Sequence, residues 1–296
     1  MRIEGVYTAL LTPFTAEEGL DLDALQALVR HVVGEGGEGI APLGTTGEGY
    51  AVTRSERTEI LRAVKDAAGP STGLIAGATE ITTRGTVKNA QLAAELGYRA
   101  AMVAAPPYVL PNTAELVEHF RTVAREGGLP VVLYDYPTRT GVSVDEQVLE
   151  ALADEPGVIA IKEASGDFNR VIRLRALFGD RFQIICGADS LILDFVLWGT
   201  EAWIAGSAGV LPGEHSRLLA VARQGDFRGA RQMLEEILPL LLAIEDGAYT
   251  QKLRRALREL GLPSGYPRAP VRELEGDLPV EVTDLLARRR DPARAG

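Results

Sequence analysis

Cysteine is nearly missing from this chain: Cys186 is the single one in 296 residues. That excludes a disulfide framework and any cysteine-based zinc site, and it suits a reducing compartment. Histidine is scarce too. His31, His119 and His215 lie far apart on helical stretches, and no H-x-x-H or H-E-x-x-H spacing occurs, so no metal is expected. No apolar run approaches the roughly 18 residues of a membrane span. The longest candidate, 100 to 110, holds Pro106 and Pro107. The start, MRIEGVYTALLTPF, has one early arginine and no A-x-A cleavage site, which predicts a cytoplasmic protein without a leader. Positive charge is short as well. The 31 Lys and Arg against 41 Asp and Glu leave a net charge of −10, which argues against nucleic acid as the main partner.

What is present is a chain built to bury a core: 46% hydrophobic, 24% charged, with 32 Gly and 16 Pro. Eight short apolar runs follow one another: 6–12, 39–44, 72–78, 99–105, 130–136, 158–164, 182–188 and 202–208. None alternates polar with apolar. Near-continuous apolar runs belong to parallel strands covered on their outer face. Between them run amphipathic stretches, such as the stripe Leu22, Leu25, Leu28, Val29 and Val32 that Gly36-Gly37 ends. Capping boxes are expected at Thr53/Glu56, Asn112/Glu115 and Ser143/Glu146. Eight strand–helix units repeating about every 25 residues predict a (β/α)₈ TIM barrel, with a doubly wound open sheet as runner-up. The barrel should occupy residues 1–224. Residues 225–296 read as a C-terminal helical appendage: helical over 226–260, a loop at 263–270, and a last helix at 280–290. Arg288-Arg289-Arg290 reads as a solvated helix end.

In such a barrel chemistry sits at the C-terminal ends of the strands. That selects the GTTGE segment at 44–48, Pro106-Pro107-Tyr108, Tyr134 with Arg139, and Lys162. Lys162 follows Val158, Ile159, Ala160 and Ile161. A lysine losing hydration there becomes a neutral amine able to attack a carbonyl. The plainer alternative is a lysine that snorkels to solvent or pairs with Glu163. The two threonines and freed amides of GTTGE could cradle a carboxylate or phosphate, or simply form a turn that needs glycine. Gly206, Ser207 and Gly209 could hold an anion too. Tyr108 and Tyr134 are candidate acid/base groups or ordinary packing residues.

Together these residues resemble the dihydrodipicolinate synthase / N-acetylneuraminate lyase family of pyruvate-type class I aldolases. GTTGE looks like its carboxylate loop, YDYPTRTG at 134–141 like its tyrosine segment, and IKEASGD at 161–167 like its Schiff-base strand. The resemblance implies a cofactor-free homotetramer, a dimer of dimers. Lys162 would form the imine with a 2-oxo acid, and Thr45 and Thr46 would hold its carboxylate. Tyr134, Thr45 and Tyr108 would form a proton relay, with Tyr108 donated across a subunit interface. Arg139 would bind the second substrate's carboxylate, and Gly187 and Ile204 would stand beside the imine.

The leading reaction it implies is 4-hydroxy-tetrahydrodipicolinate synthesis from pyruvate and aspartate semialdehyde. Alternatives are a keto-deoxy sugar acid aldolase or dehydratase, a pyrroline-4-hydroxy-2-carboxylate deaminase, a silent 2-oxo acid sensor, or a phosphate-binding isomerase using Gly206 to Gly209. In the synthase branch, lysine feedback uses polar side chains after the carboxylate loop, after strand three and before the relay tyrosine. Here those regions carry Gly49-Tyr50, Ile81 and Pro107. That puts the second substrate and the feedback in question.

Overall fold

Eight short parallel strands pair edge to edge in chain order and close on themselves: β1 (Gly5–Ala9), β2 (Gly39–Ala41), β3 (Gly73–Gly77), β4 (Ala100–Ala104), β5 (Val131–Asp135), β6 (Val158–Glu163), β7 (Gln183–Cys186) and β8 (Ala202–Ala205). The closing ladder sets Tyr7 against Ile204. The computed structural model describes residues 1–290; the last six residues of the expected appendage lie outside them. The architecture is the expected TIM barrel. Each strand is shorter than its apolar run.

The outer ring is α1 (Leu22–Gly34), α2 (Arg54–Ala68), α3 (Thr83–Glu95), α4 (Thr113–Glu126), the single turn α5 (Pro137–Thr140), α6 (Glu146–Ala151), α7 (Phe168–Phe178), α8 (Ile192–Leu197) and α9 (Pro212–Arg223). Thr53 and Asn112 close both halves of their capping boxes. Such an N-cap contributes about 1 kcal/mol. The Ser143/Glu146 box does not form. Asp145 caps α6 through Val148 N at 2.9 Å, while the Ser143 hydroxyl turns back to the buried Asp135 carboxylate at 3.0 Å. A buried carboxylate requires donors, and that demand outweighs an exposed cap.

Two apolar layers follow from the period of two along each strand. Inward residues such as Ile75, Met102, Val132, Ala160, Ile185 and Ile204 fill the barrel. Outward residues such as Val103, Leu133, Ile161, Ile184 and Trp203 pack beneath the helices.

The C-terminal region differs from its reading in two places. Residues 226–260 form two helices, α10 (Phe227–Glu245) and α11 (Tyr249–Glu259), broken where Gly247 and Ala248 take positive φ of 89° and 47°. The last helix, α12 (Val280–Arg290), carries the arginine run. Its end is tied down rather than merely solvated: Arg289 pairs with Glu214 at 2.8 Å and with Glu35, joining α12 to α9 and α1.

Candidate active site

Strand parity aims the chemistry. On β6, Ala160 and Lys162 face the barrel interior while Ile161 faces the helices; on β5, Val132 and Tyr134 face inward. The ladder sets Tyr134 directly beside Lys162, and the lysine Nζ lies 4.4 Å from the tyrosine ring centroid. Lys162 is 5% exposed, and burial lowers its pKa to about 8. The alternative pairing with Glu163 is absent. Glu163 faces the other side of the strand, where Arg170 binds it at 2.5 Å and reaches Asp135 at 3.3 Å. Among the described residues no carboxylate lies within ion-pair distance of Lys162. Burial therefore has no salt bridge to offset it, and the amine gives up its proton far more readily than a free lysine does.

The GTTGE segment follows β2 and is held from below. Arg57, itself buried, donates to the carbonyls of Gly77 at 2.7 Å and Gly49 at 3.1 Å. Glu48 takes a left-handed conformation, φ 49°, that drives its carboxylate inward onto Arg254 of α11. Both partners of that pair are buried. With the loop pinned, the Thr45 side chain stands near enough to Tyr134 to pull its hydroxyl back against the effect of burial, and Thr46 does the same for Tyr249. Burial pushes the Tyr134 hydroxyl upward, so it rests protonated. Tyr136 stacks on Tyr134 with centroids 5.8 Å apart.

These groups line one cavity of about 1010 Å³ at the C-terminal mouth of the barrel. Lys162, Tyr134, Thr45, Thr46, Gly187, Ile204 and Arg139 all face it. Gly187 stands where a β-carbon would lie 2.8 Å from the Lys162 Cε, so only glycine leaves the lysine arm its path. Arg139 sits exposed on α5 at the rim. The cavity thus joins a buried amine, hydroxyls able to bind a carboxylate, a protonated phenol and an outer cation.

Two expected residues behave differently. Tyr108 lies outside the cavity: it is 91% exposed, with φ 76°. Its neighbour Pro107 faces the cavity instead. Ser207 is fully buried, and its hydroxyl contacts Asp189 and His215, so it offers no open anion site.

Several lining residues went unseen in the sequence. Asp189 begins the turn after β7, and Glu245, Tyr249, Thr250 and Gln251 come from the C-terminal helices. The Asp246-Gly247 pair was the available signal that a turn would bring Tyr249 back over the barrel. Nothing local marked Asp189.

Comparison with known proteins agrees with this geometry. The model of the dihydrodipicolinate synthetase family matches residues 2–289. The 4-hydroxy-tetrahydrodipicolinate synthase of Exiguobacterium sibiricum is 34% identical over 268 residues, 90% of this chain and 92% of that one. The chloride-inhibited dihydrodipicolinate synthase of Acinetobacter baumannii, solved with pyruvate, superposes with a TM-score of 0.92 at 28% identity, covering 97% of this chain and 98% of the other. The enzyme of Cyanidioschyzon merolae, solved with lysine bound, gives 0.88 at 29% identity over 99% and 98%.

Proposed function

The chain belongs to the dihydrodipicolinate synthetase family and is a lyase of the class I aldolase type; from that premise we propose that it condenses pyruvate with aspartate semialdehyde through an imine on Lys162. The observation that carries the proposal is the lone inward lysine of β6, desolvated and in register with Tyr134.

The Lys162 amine attacks the keto carbon of pyruvate, and loss of water gives the imine. Thr45 and Thr46 hold the carboxylate, which fixes the methyl group near Tyr134. Removal of a methyl proton turns the imine into an enamine, the carbon nucleophile that adds to the aldehyde. Tyr134 carries protons between these species, with the Thr45 hydroxyl as its neighbour in the relay. Arg139 at the rim binds the second substrate's carboxylate, and Gly187 and Ile204 shape the space beside the imine. The barrel of residues 1–224 supplies the reacting groups, and the C-terminal helices complete the cavity wall.

Tyr108 belongs to the relay of a neighbouring subunit in a cytoplasmic homotetramer. In support, Tyr108, Val109 and Leu110 are 91%, 50% and 59% exposed, and Tyr108 and Leu110 both hold positive φ. Backbone strain on an exposed apolar patch suits a surface that another subunit covers.

A second reading within the same imine chemistry, a keto-deoxy sugar acid aldolase or a pyrroline carboxylate deaminase, has one observation in its favour. Tyr50, Ile81 and Pro107, the departures from the synthase pattern, all line the cavity. A panel of these substrates separates the two.

The central test is trapping. Pyruvate with borohydride should add one reduced pyruvyl group, mapped by mass spectrometry to Lys162, and Lys162→Ala should abolish it. Labelling elsewhere, or none with any 2-oxo acid, would overturn the proposal.

A further inference from the structure

Three buried side chains lead from the cavity wall into the protein behind β8. Asp189 lines the cavity; its Oδ1 accepts from the Trp203 indole Nε1 at 2.9 Å, and its Oδ2 lies 2.7 Å from the Ser207 hydroxyl oxygen. That oxygen is 2.8 Å from His215 Nε2, and His215 Nδ1 is 2.7 Å from the Leu211 carbonyl oxygen. Asp189 is 3% exposed, and Ser207 and His215 are 0% exposed.

Counting hydrogens along this chain is decisive. A carbonyl only accepts, so His215 Nδ1 carries a hydrogen. Ser207 has one hydroxyl hydrogen for two contacts. If it goes to Asp189, then His215 Nε2 must also carry a hydrogen, and the imidazole is a cation. If it goes to His215, then Asp189 must donate to Ser207 and is a carboxylic acid. Either way the three residues hold one proton more than a carboxylate, a hydroxyl and a neutral imidazole supply. A unit of zero net charge is also what burial favours.

Burial raises the Asp189 carboxyl and lowers the His215 imidazole, so of these two the carboxyl takes the extra proton more readily. The groups that act on Asp189 from adjoining elements are Lys162 of β6, Cys186 of β7, Glu245 of α10, Tyr134 of β5 and Tyr249 of α11. His215 packs on the Trp203 ring at 4.6 Å, with no charged partner.

We propose that the Asp189–Ser207–His215 chain holds the proton that Lys162 gives up, so that the resting site is a carboxylic acid and a neutral amine rather than a carboxylate and an ammonium. The two arrangements contain the same number of protons: an N–H bond of Lys162 breaks and an O–H bond of Asp189 forms. Only the neutral arrangement satisfies every contact from Asp189 to Leu211 while His215 stays neutral. His215, which does not line the cavity, therefore acts as a positioning residue for the nucleophile. The inference rests on the imine reading above and gives it the protonation state it needs.

Two measurements test it. Infrared spectra of the wild-type protein against Asp189→Asn should show a protonated-carboxyl band at neutral pH that the variant lacks; this arm needs no activity. In His215→Phe, Ser207 is released to donate to Asp189, which then ionises. The band should vanish, and the acid limb of pyruvate–borohydride trapping should move up by about one pH unit or more, as a nearby opposite charge does. Ser207→Ala leaves Asp189 buried without its hydroxyl partner, and its limb should not move up. Absence of the band from the wild type, or an upward move in both variants or neither, overturns the proposal. Failure to form any adduct overturns the imine reading instead, and the infrared band alone then decides where the proton lies.

Discussion

The hydroxyl of Tyr249 rests on the backbone of Gly206: a β-carbon at residue 206 would lie 2.3 Å from that oxygen. The C-terminal helices and the end of β8 are therefore fitted to each other at the point where Tyr249 reaches Thr46. Gly206→Ala should displace the tyrosine, leave the carboxylate loop less well ordered, and raise KM for pyruvate roughly tenfold, a loss of about 1.4 kcal/mol. Steady-state kinetics measures this; an unchanged KM would show that Tyr249 has no part in holding the loop.

Tyr134→Phe deletes only a hydroxyl. Its ring still packs against Tyr136, so the thermal midpoint should hold while turnover falls by roughly 10²-fold or more, as loss of a positioned acid/base does. Turnover at the wild-type level would reduce Tyr134 to a packing residue.

Lys162 carries a stability cost with a definite sign. Its folded pKa of about 8 lies below the ordinary 10.5, so between those values the unfolded chain binds more protons, and stability rises with pH. At pH 7 the full cost of taking the unfolded chain's ammonium out of water is present, because the proton stays inside the folded site when it passes to Asp189. Lys162→Met should therefore raise the unfolding free energy there by up to about 3 kcal/mol. The gain should shrink as the pH climbs through the 8 to 10.5 window. Urea melts across pH 7 to 10 would measure it, and a destabilised Lys162→Met would contradict the assigned burial cost.

Arg139→Ala should raise KM for the second substrate far more than for pyruvate, because the guanidinium stands at the rim and Lys162 at the floor. Equal effects on both would move Arg139 to a general electrostatic role, and no effect would favour the deaminase or sugar-acid reading.

L-Lysine at millimolar concentration should neither bind nor inhibit. Ile81 and Pro107 have no side-chain donor or acceptor, so a charged amino acid placed beside them would lose hydration without gaining partners. Calorimetry giving a saturable lysine isotherm would reverse this expectation.

The barrel was legible because its signal is local. Each strand announces itself as a short run of Val, Ile and Ala, and a lysine inside such a run, Lys162, is conspicuous for that reason. The carboxylate loop and Tyr134 could be placed because they end strands. Asp189, His215 and Tyr249 were not legible as site residues. Asp189 reads as an ordinary turn residue and His215 as one more helical position; their significance comes from Ser207, which joins them only in three dimensions. Tyr249 meets Thr46 from the far end of the chain, and no local pattern encodes that meeting. The absent Ser143 cap has the same origin, a buried Asp135 whose need for donors no neighbour in sequence reveals.

The Glu48–Arg254 pair joins residues 206 positions apart, and this spacing bears on how the enzyme comes to life during synthesis. A ribosome that has made all eight strands and Lys162 has still not delivered Arg254. Until it does, Glu48 lacks its cation, and burying it alone would cost about 3–5 kcal/mol. The threonines beside it have no reason to settle before that moment. Order in this loop is thus expected to follow the last helices rather than closure of the barrel. A nascent chain stalled before α11 should already contain Lys162 and yet bind pyruvate poorly.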